Sequence, residues 1–187
     1  MKSYKFVFDV KSLSNEVCLT EKDTINSFRD GRVVSRFSEH WAEALYKFKK
    51  SKSSNQPGYD GTIKAGGFEK LRISIKSLTK SGIKFQQSVN QGAGRKCNND
   101  LLLESLDQFD YVVVIDVIDF PIVKTIPIKV EYLKKLVKTD QLTCGGLKRN
   151  NLLKLIPELN LLKLVKISID NLRKKINKKS MNTGDIK

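Results

Sequence analysis

Hydrophobic and polar positions follow two different periods along the chain. Residues 4–10, Tyr-Lys-Phe-Val-Phe-Asp-Val, predict a short strand, and 14–28 predict a helix ended by Asp30-Gly31. From Ser35 onward, Phe37, Trp41, Leu45 and Phe48 recur at spacings of four and three. On a 3.6-residue helix they share one side, which predicts a face packed into the body. Residues 49–58, rich in Lys, Ser and Asn and closed by Gln-Pro-Gly, predict a loop. The period then changes to two. Asp60, Thr62 and Lys64 fall opposite Tyr59, Ile63 and Ala65, and Arg72, Ser74 and Lys76 fall opposite Leu71, Ile73 and Ile75. Gly66-Gly67 between the two runs predicts an antiparallel hairpin.

Beyond a glycine-rich, basic stretch at 89–99, residues 100–108 predict a helix with a leucine face. Val112, Val113, Val114 and Ile115 follow one another without a polar face, as in an interior strand. An edge strand over 122–128, a helix from Glu131 and leucine-rich helices from Gly146 to about Ile176 complete the pattern. This order predicts an α/β (α+β) fold, a mixed central sheet flanked by helices. It forms one domain over 1–176, followed by a basic, flexible tail over 177–187.

Composition narrows the function classes. A chain of 187 residues with 40% hydrophobic and 29% charged positions has the make-up of one folded domain. Its 35 Lys and Arg against 20 Asp and Glu give a formal charge of +15, which attracts polyanions, nucleic acid first and an anionic membrane surface second. No run of about 18 apolar residues and no apolar leader core is visible, so a cytoplasmic, non-membrane protein is expected. Cys18, Cys97 and Cys144 lie far apart and His40 is the sole histidine. That excludes a structural zinc site and suits a reduced chain. Abundant Lys, Asn and Ile point to an AT-rich bacterial or phage coding source.

The chemistry is concentrated in Gly58-Tyr59-Asp60-Gly61 and Arg72-Ile73-Ser74-Ile75-Lys76. The hairpin brings Asp60 and Lys76 to one polar face. Hydrolysing a phosphodiester takes a divalent ion that binds phosphate oxygen and acidifies water, plus a cation that orients the reacting groups. Mg²⁺ prefers oxygen, so Asp60, the Ile75 backbone carbonyl and a further carboxylate make a suitable ligand set completed by water. Each residue also has an ordinary use: Asp60 beside Gly61 as a turn residue, Lys76 as a solvent-facing sheet lysine, Glu39 and Glu43 as a charge ladder with Lys47. His40 has no nucleophile motif beside it, which favours a structural or phosphate-contacting role. Gly92 and Gly94 lack the Gly-Lys-Ser/Thr ending of a nucleotide loop, leaving Arg95 and Lys96 as a phosphate-contacting arm.

Asp60 with Ser74-Ile75-Lys76, set in the predicted order over about 35–118, resembles the PD-(D/E)XK nuclease superfamily, to which many type II restriction endonucleases belong. The resemblance implies a restriction-endonuclease-like αβββαβ core, a Mg²⁺ cofactor, Asp60 as ligand and Lys76 positioning or activating the water. The family usually carries Asp or Glu where Ser74 stands. The resemblance therefore implies that Glu39 or Glu43 on the preceding helix supplies the missing acid and that Ser74 hydrogen-bonds within the site. Glu69 falls at the wrong end of the hairpin for this. DNA contacts are expected from Arg72, Lys80, Lys84, Gln86 and Gln87, and from Arg95, Lys96, Lys148 and Arg149.

The expected function is a Mg²⁺-dependent endodeoxyribonuclease cutting double-stranded DNA, a sequence-specific type II enzyme of a restriction-modification system. Cutting both strands of a palindrome calls for a homodimer. The alternatives are a junction-resolving nuclease using the same metal site, and a noncatalytic basic nucleic-acid-binding protein. Leu152, Leu153, Leu155, Leu161, Leu162 and Leu164 serve either a core or a dimer surface.

Overall fold

The computed structural model describes residues 1–30, 32–50, 59–65, 69–85, 98–156 and 164–182. Among them the chain forms β1 (Tyr4–Val7), α1 (Val10–Glu16), α2 (Glu21–Asp30), α3 (Arg32–Tyr46), β2 (Lys49–Lys50), β3 (Gly61–Ala65) and β4 (Glu69–Leu78). It continues through α4 (Asn99–Leu106), β5 (Tyr111–Asp116), β6 (Ile122–Lys129), α5 (Val130–Lys138), α6 (Arg149–Leu155), β7 (Val165–Lys166) and α7 (Ile169–Asn182). The strands build one mixed sheet in the order β2-β3-β4-β5-β6-β1-β7. This is the mixed α/β class that the sequence pattern predicts. No helix among the described residues is long and apolar enough to cross a membrane.

β4 and β5 run parallel, Ile73 opposite Tyr111 through Leu78 opposite Asp116, and α4 lies on the crossover that parallel strands require. β5 is the middle of the molecule. Val112 and Val114 point into a core with Leu102, Leu106 and Leu133 from α4 and α5, while Val113 and Ile115 point into a second core with Trp41, Leu45 and Leu172 from α3 and α7. Burial on both faces explains why its sequence shows no polar alternation.

Several elements depart from the sequence pattern for local reasons. β1 stops at Val7 because the Asp9 carboxylate accepts a hydrogen bond from the Ser12 amide at 3.2 Å and caps α1. The predicted helix over 14–28 is two helices. Cys18 takes a left-handed backbone (φ 53°), and Thr20 opens α2 by exchanging hydrogen bonds with Asp23 at 2.7 and 3.1 Å. Phe48 is buried but follows α3. Phe37 is 44% exposed, its ring stacked on Phe28 and Trp41.

β6 is an interior strand paired with both β5 and β1, not an edge strand; its Pro127 lies beyond the four residues that pair with β1. The leucine-rich C-terminal helix is interrupted, with β7 placed in parallel beside β1 before α7 begins. α7 continues to Asn182 through much of the stretch expected as a tail; residues 183–187 lie outside those described. Leu152 is core, whereas Leu161 and Leu162 lie outside the described residues. Cys18 is a free, exposed thiol, but Cys144 is disulfide-bonded, which departs from the expectation of a wholly reduced chain.

Candidate active site

The hairpin of β3 and β4 pairs Gly61 with Ile73 and Ala65 with Glu69, so Asp60 sits at one end of it and Glu69 at the other. The Asp60 amide donates to the Ile73 carbonyl at 2.9 Å, and its carboxylate Oδ2 then accepts from the Ile75 amide at 2.5 Å and the Ser74 hydroxyl at 3.2 Å. Two donors on one oxygen fix the plane of the carboxylate. Within a strand, residues two apart turn their amide and carbonyl to the same side. Because Ile73 and Ile75 both bond toward Asp60, the Ile75 carbonyl is directed to that side as well.

Lys76, on the same face of β4 as the buried Ser74, is the charged partner of this carboxylate. Burial raises the Asp60 pKa above the ordinary carboxylate value, against the opposing effects of the Ile75 amide, Lys76 and Ser74; the negative charge of Glu39 raises it further. Burial lowers the Lys76 pKa, and the charge of Asp60 opposes that shift. The pair therefore has its acid and its base displaced toward one another. Such a displacement is a common mark of reacting groups.

Glu39, on α3, is thus within electrostatic range of Asp60. Its own carboxylate is 2.5 Å from the Lys50 ammonium on β2. Glu43, one turn further along α3, lies 4.0 Å from His40 Nδ1. Lys50 is paired with Gly61, the residue after Asp60, which brings β2 against the site. That approach needs a glycine: a Cβ on Gly61 would stand 2.4 Å from both the Lys49 carbonyl oxygen and a Phe48 ring carbon. Gly61→Ala is expected to cost roughly 1–3 kcal/mol of stability by overpacking, read from the urea midpoint.

The other expected residues are scattered. Arg72 is held by Asp110, whose Oδ2 accepts from the Arg72 amide at 2.7 Å and whose Oδ1 accepts from the guanidinium at 3.2 Å. Arg149 lies between Asp116 and Asp119, with Nε 3.2 Å from Asp116 Oδ2 and two nitrogens donating to Asp119 at 3.1 and 2.7 Å. In this structure both arginines are thus paired with carboxylates, Arg72 in a half-exposed pair and Arg149 in a more buried one. Lys80, Lys84 and Lys148 are exposed; Gln86, Gln87, Arg95 and Lys96 lie outside the described residues. Lys50 is the residue of this cluster that the sequence pattern missed. A two-residue strand carries no periodicity, and only the basic pair Lys49-Lys50 flagged the position.

Among the described residues no three His, Cys, Asp or Glu side chains gather into a metal cluster. The donors at this site are instead two carboxylates of differing burial and a backbone carbonyl. That set suits Mg²⁺, which takes one or two carboxylates and keeps much of its water. A separate cavity of 880 Å³ between β1, α1 and α7, lined by Phe8, Ser12, Trp41, Lys166 and Leu172 among others, includes none of these residues. The chemistry therefore locates the site better than the hollow does. No protein-family model matches the chain, and neither do curated proteins or solved structures.

Proposed function

We propose that this chain is a divalent-metal-dependent endonuclease of the PD-(D/E)XK kind acting on double-stranded DNA, with a sequence-specific type II restriction enzyme as the favoured form. The observation that carries the proposal is the meeting of Asp60, Ser74, Ile75 and Lys76 at one end of the β3–β4 hairpin, with Glu39 brought in from the preceding helix. The chain order α3, β2, β3, β4, α4, β5 supports it, being a helix, three strands, a helix and a strand. A net charge of +15 supports a polyanionic substrate.

In this reading Asp60, the Ile75 carbonyl and Glu39 would hold a magnesium ion. The ion would neutralise charge at the scissile phosphate and acidify a bound water. Ser74 and the Ile75 amide keep the Asp60 carboxylate in one orientation. Lys76, with its pKa lowered, positions the water and exchanges a proton with it more readily than a solvated lysine would. The reaction is direct displacement with no covalent enzyme intermediate.

The test is incubation of the purified chain with long mixed-sequence DNA and with a four-way junction, in Mg²⁺ or in EDTA. Discrete, Mg²⁺-dependent fragments of the linear DNA are expected. Preferential cutting of the junction would move the assignment to a junction-resolving nuclease. Retention of DNA without cutting, across several substrates and metals, would sink the nuclease reading and leave a noncatalytic basic binding protein.

A further inference from the structure

Among the described residues, Lys50 is a cation in direct contact with a candidate metal ligand, Glu39, that the mechanism above does not use. Its ammonium is 2.5 Å from Glu39 Oε2, and β2 fixes it through the pairing of Lys50 with Gly61, next in sequence to Asp60. The contact is open to solvent, with side-chain exposures of 48% for Lys50 and 34% for Glu39. Exposed pairs of this kind are weak enough to be exchanged for another cation. Glu39 meanwhile acts electrostatically on Asp60, so an ammonium on Glu39 bears on the whole acid pair.

From this we infer that Lys50 is a placeholder cation. It occupies Glu39 when no divalent ion is bound and competes with that ion for the carboxylate. On displacement it is left beside the site as a free ammonium for a substrate phosphate oxygen. The inference rests on the metal-site reading above and adds a positioning residue to it. Two acids brought together without metal repel each other, and a lysine on the more exposed acid relieves that repulsion. The same lysine opposes the arrival of a second positive charge, so the fully assembled site is favoured when metal and phosphate arrive together.

The experiment titrates MnCl₂ into the full chain and reads free Mn²⁺ by electron paramagnetic resonance, with Mg²⁺ as competitor, so no activity is needed. Lys50→Met is expected to bind Mn²⁺ about two- to fivefold more tightly than wild type, the scale of an exposed ion pair. Lys50→Arg, which keeps the charge, is expected to bind as weakly as wild type; Asp60→Asn and Glu39→Gln are expected to lose the ion. Unchanged or weaker binding in Lys50→Met, with wild-type uptake that depends on Asp60, would overturn the inference alone. Absence of Asp60-dependent uptake in wild type would overturn the metal-site reading and this inference together. Circular dichroism of each variant separates these outcomes from misfolding.

Discussion

Asp60→Asn is expected to lower DNA cleavage by about a thousandfold or more while leaving the chain folded. Asparagine keeps a side-chain oxygen to accept from the Ser74 hydroxyl and the Ile75 amide, so the end of the β3–β4 hairpin retains its bonds. What disappears is a charge. Because burial raises the Asp60 pKa in the folded state, this group favours folding below its unfolded pKa, and that contribution is lost as pH rises through the folded value. At neutral pH the ionised carboxylate is thus destabilising, and its removal is expected to hold or raise the thermal midpoint. The loss of Asp60 also removes the charge that opposes the fall in the Lys76 pKa, so Lys76 should titrate lower still in the variant. Cleavage rates, calorimetry and the Lys76 Nζ resonance check the three parts. A variant that cuts DNA at the wild-type rate would remove Asp60 from the chemistry.

Arg149→Met is expected to destabilise the fold by about 3–5 kcal/mol, the scale of breaking a buried ion pair by deleting one partner. Asp116 is 4% exposed at the end of β5, and burial raises its pKa while Arg149 restrains the rise. Asp119 behaves oppositely: burial pushes it up, but the hydrogen bonds and charges of Arg149 and Lys124 prevail and hold it below the usual range. Deleting the guanidinium leaves Asp116 buried beside one fewer cation and strips two bonds from Asp119. Both consequences have the same sign. The Asp119 contribution exists above its unfolded pKa and is lost as pH falls through its folded value, while Asp116 is costly to bury only when ionised. The stability gap between wild type and variant should therefore be largest near pH 7 and narrow in acid. Urea denaturation at several pH values measures it, and a gap that stays constant with pH would assign the loss to packing instead.

The long periodic elements were legible in the sequence because burial imposes the pattern. β5 declared itself through four successive apolar residues, and β3 with β4 through alternation around Gly66-Gly67. β2 and β7 were not legible, since two residues hold no period; their pairing comes from long-range backbone partners, such as the Val165 amide on the Ser3 carbonyl at 3.0 Å. The interior position of β6 was not legible because its second partner, β1, comes from the start of the chain; Pro127 sits where that flank has no ladder to lose. At the site, the spacing of Asp60 and Lys76 could be read because a hairpin has fixed geometry. The structure brings Glu39 toward Asp60, a nearness set by the packing of α3 against the sheet that no local spacing expresses. The partners of the arginines were out of reach for a related reason. Arg72 and Arg149 look like free cations until the fold supplies Asp110, Asp116 and Asp119.

Among the described residues, both margins of the sheet are two-residue strands whose residues are solvent-exposed, Lys49-Lys50 on one flank and Val165-Lys166 on the other. Margin strands this short, with lysine on each, give an incoming strand few bonds there and a like charge to overcome. Growth of the sheet from one molecule into the next is thereby discouraged, a protection that matters for a chain whose middle strand is a run of valines. Two copies acting together on opposite DNA strands would accordingly meet through helices or loops, leaving each sheet self-contained.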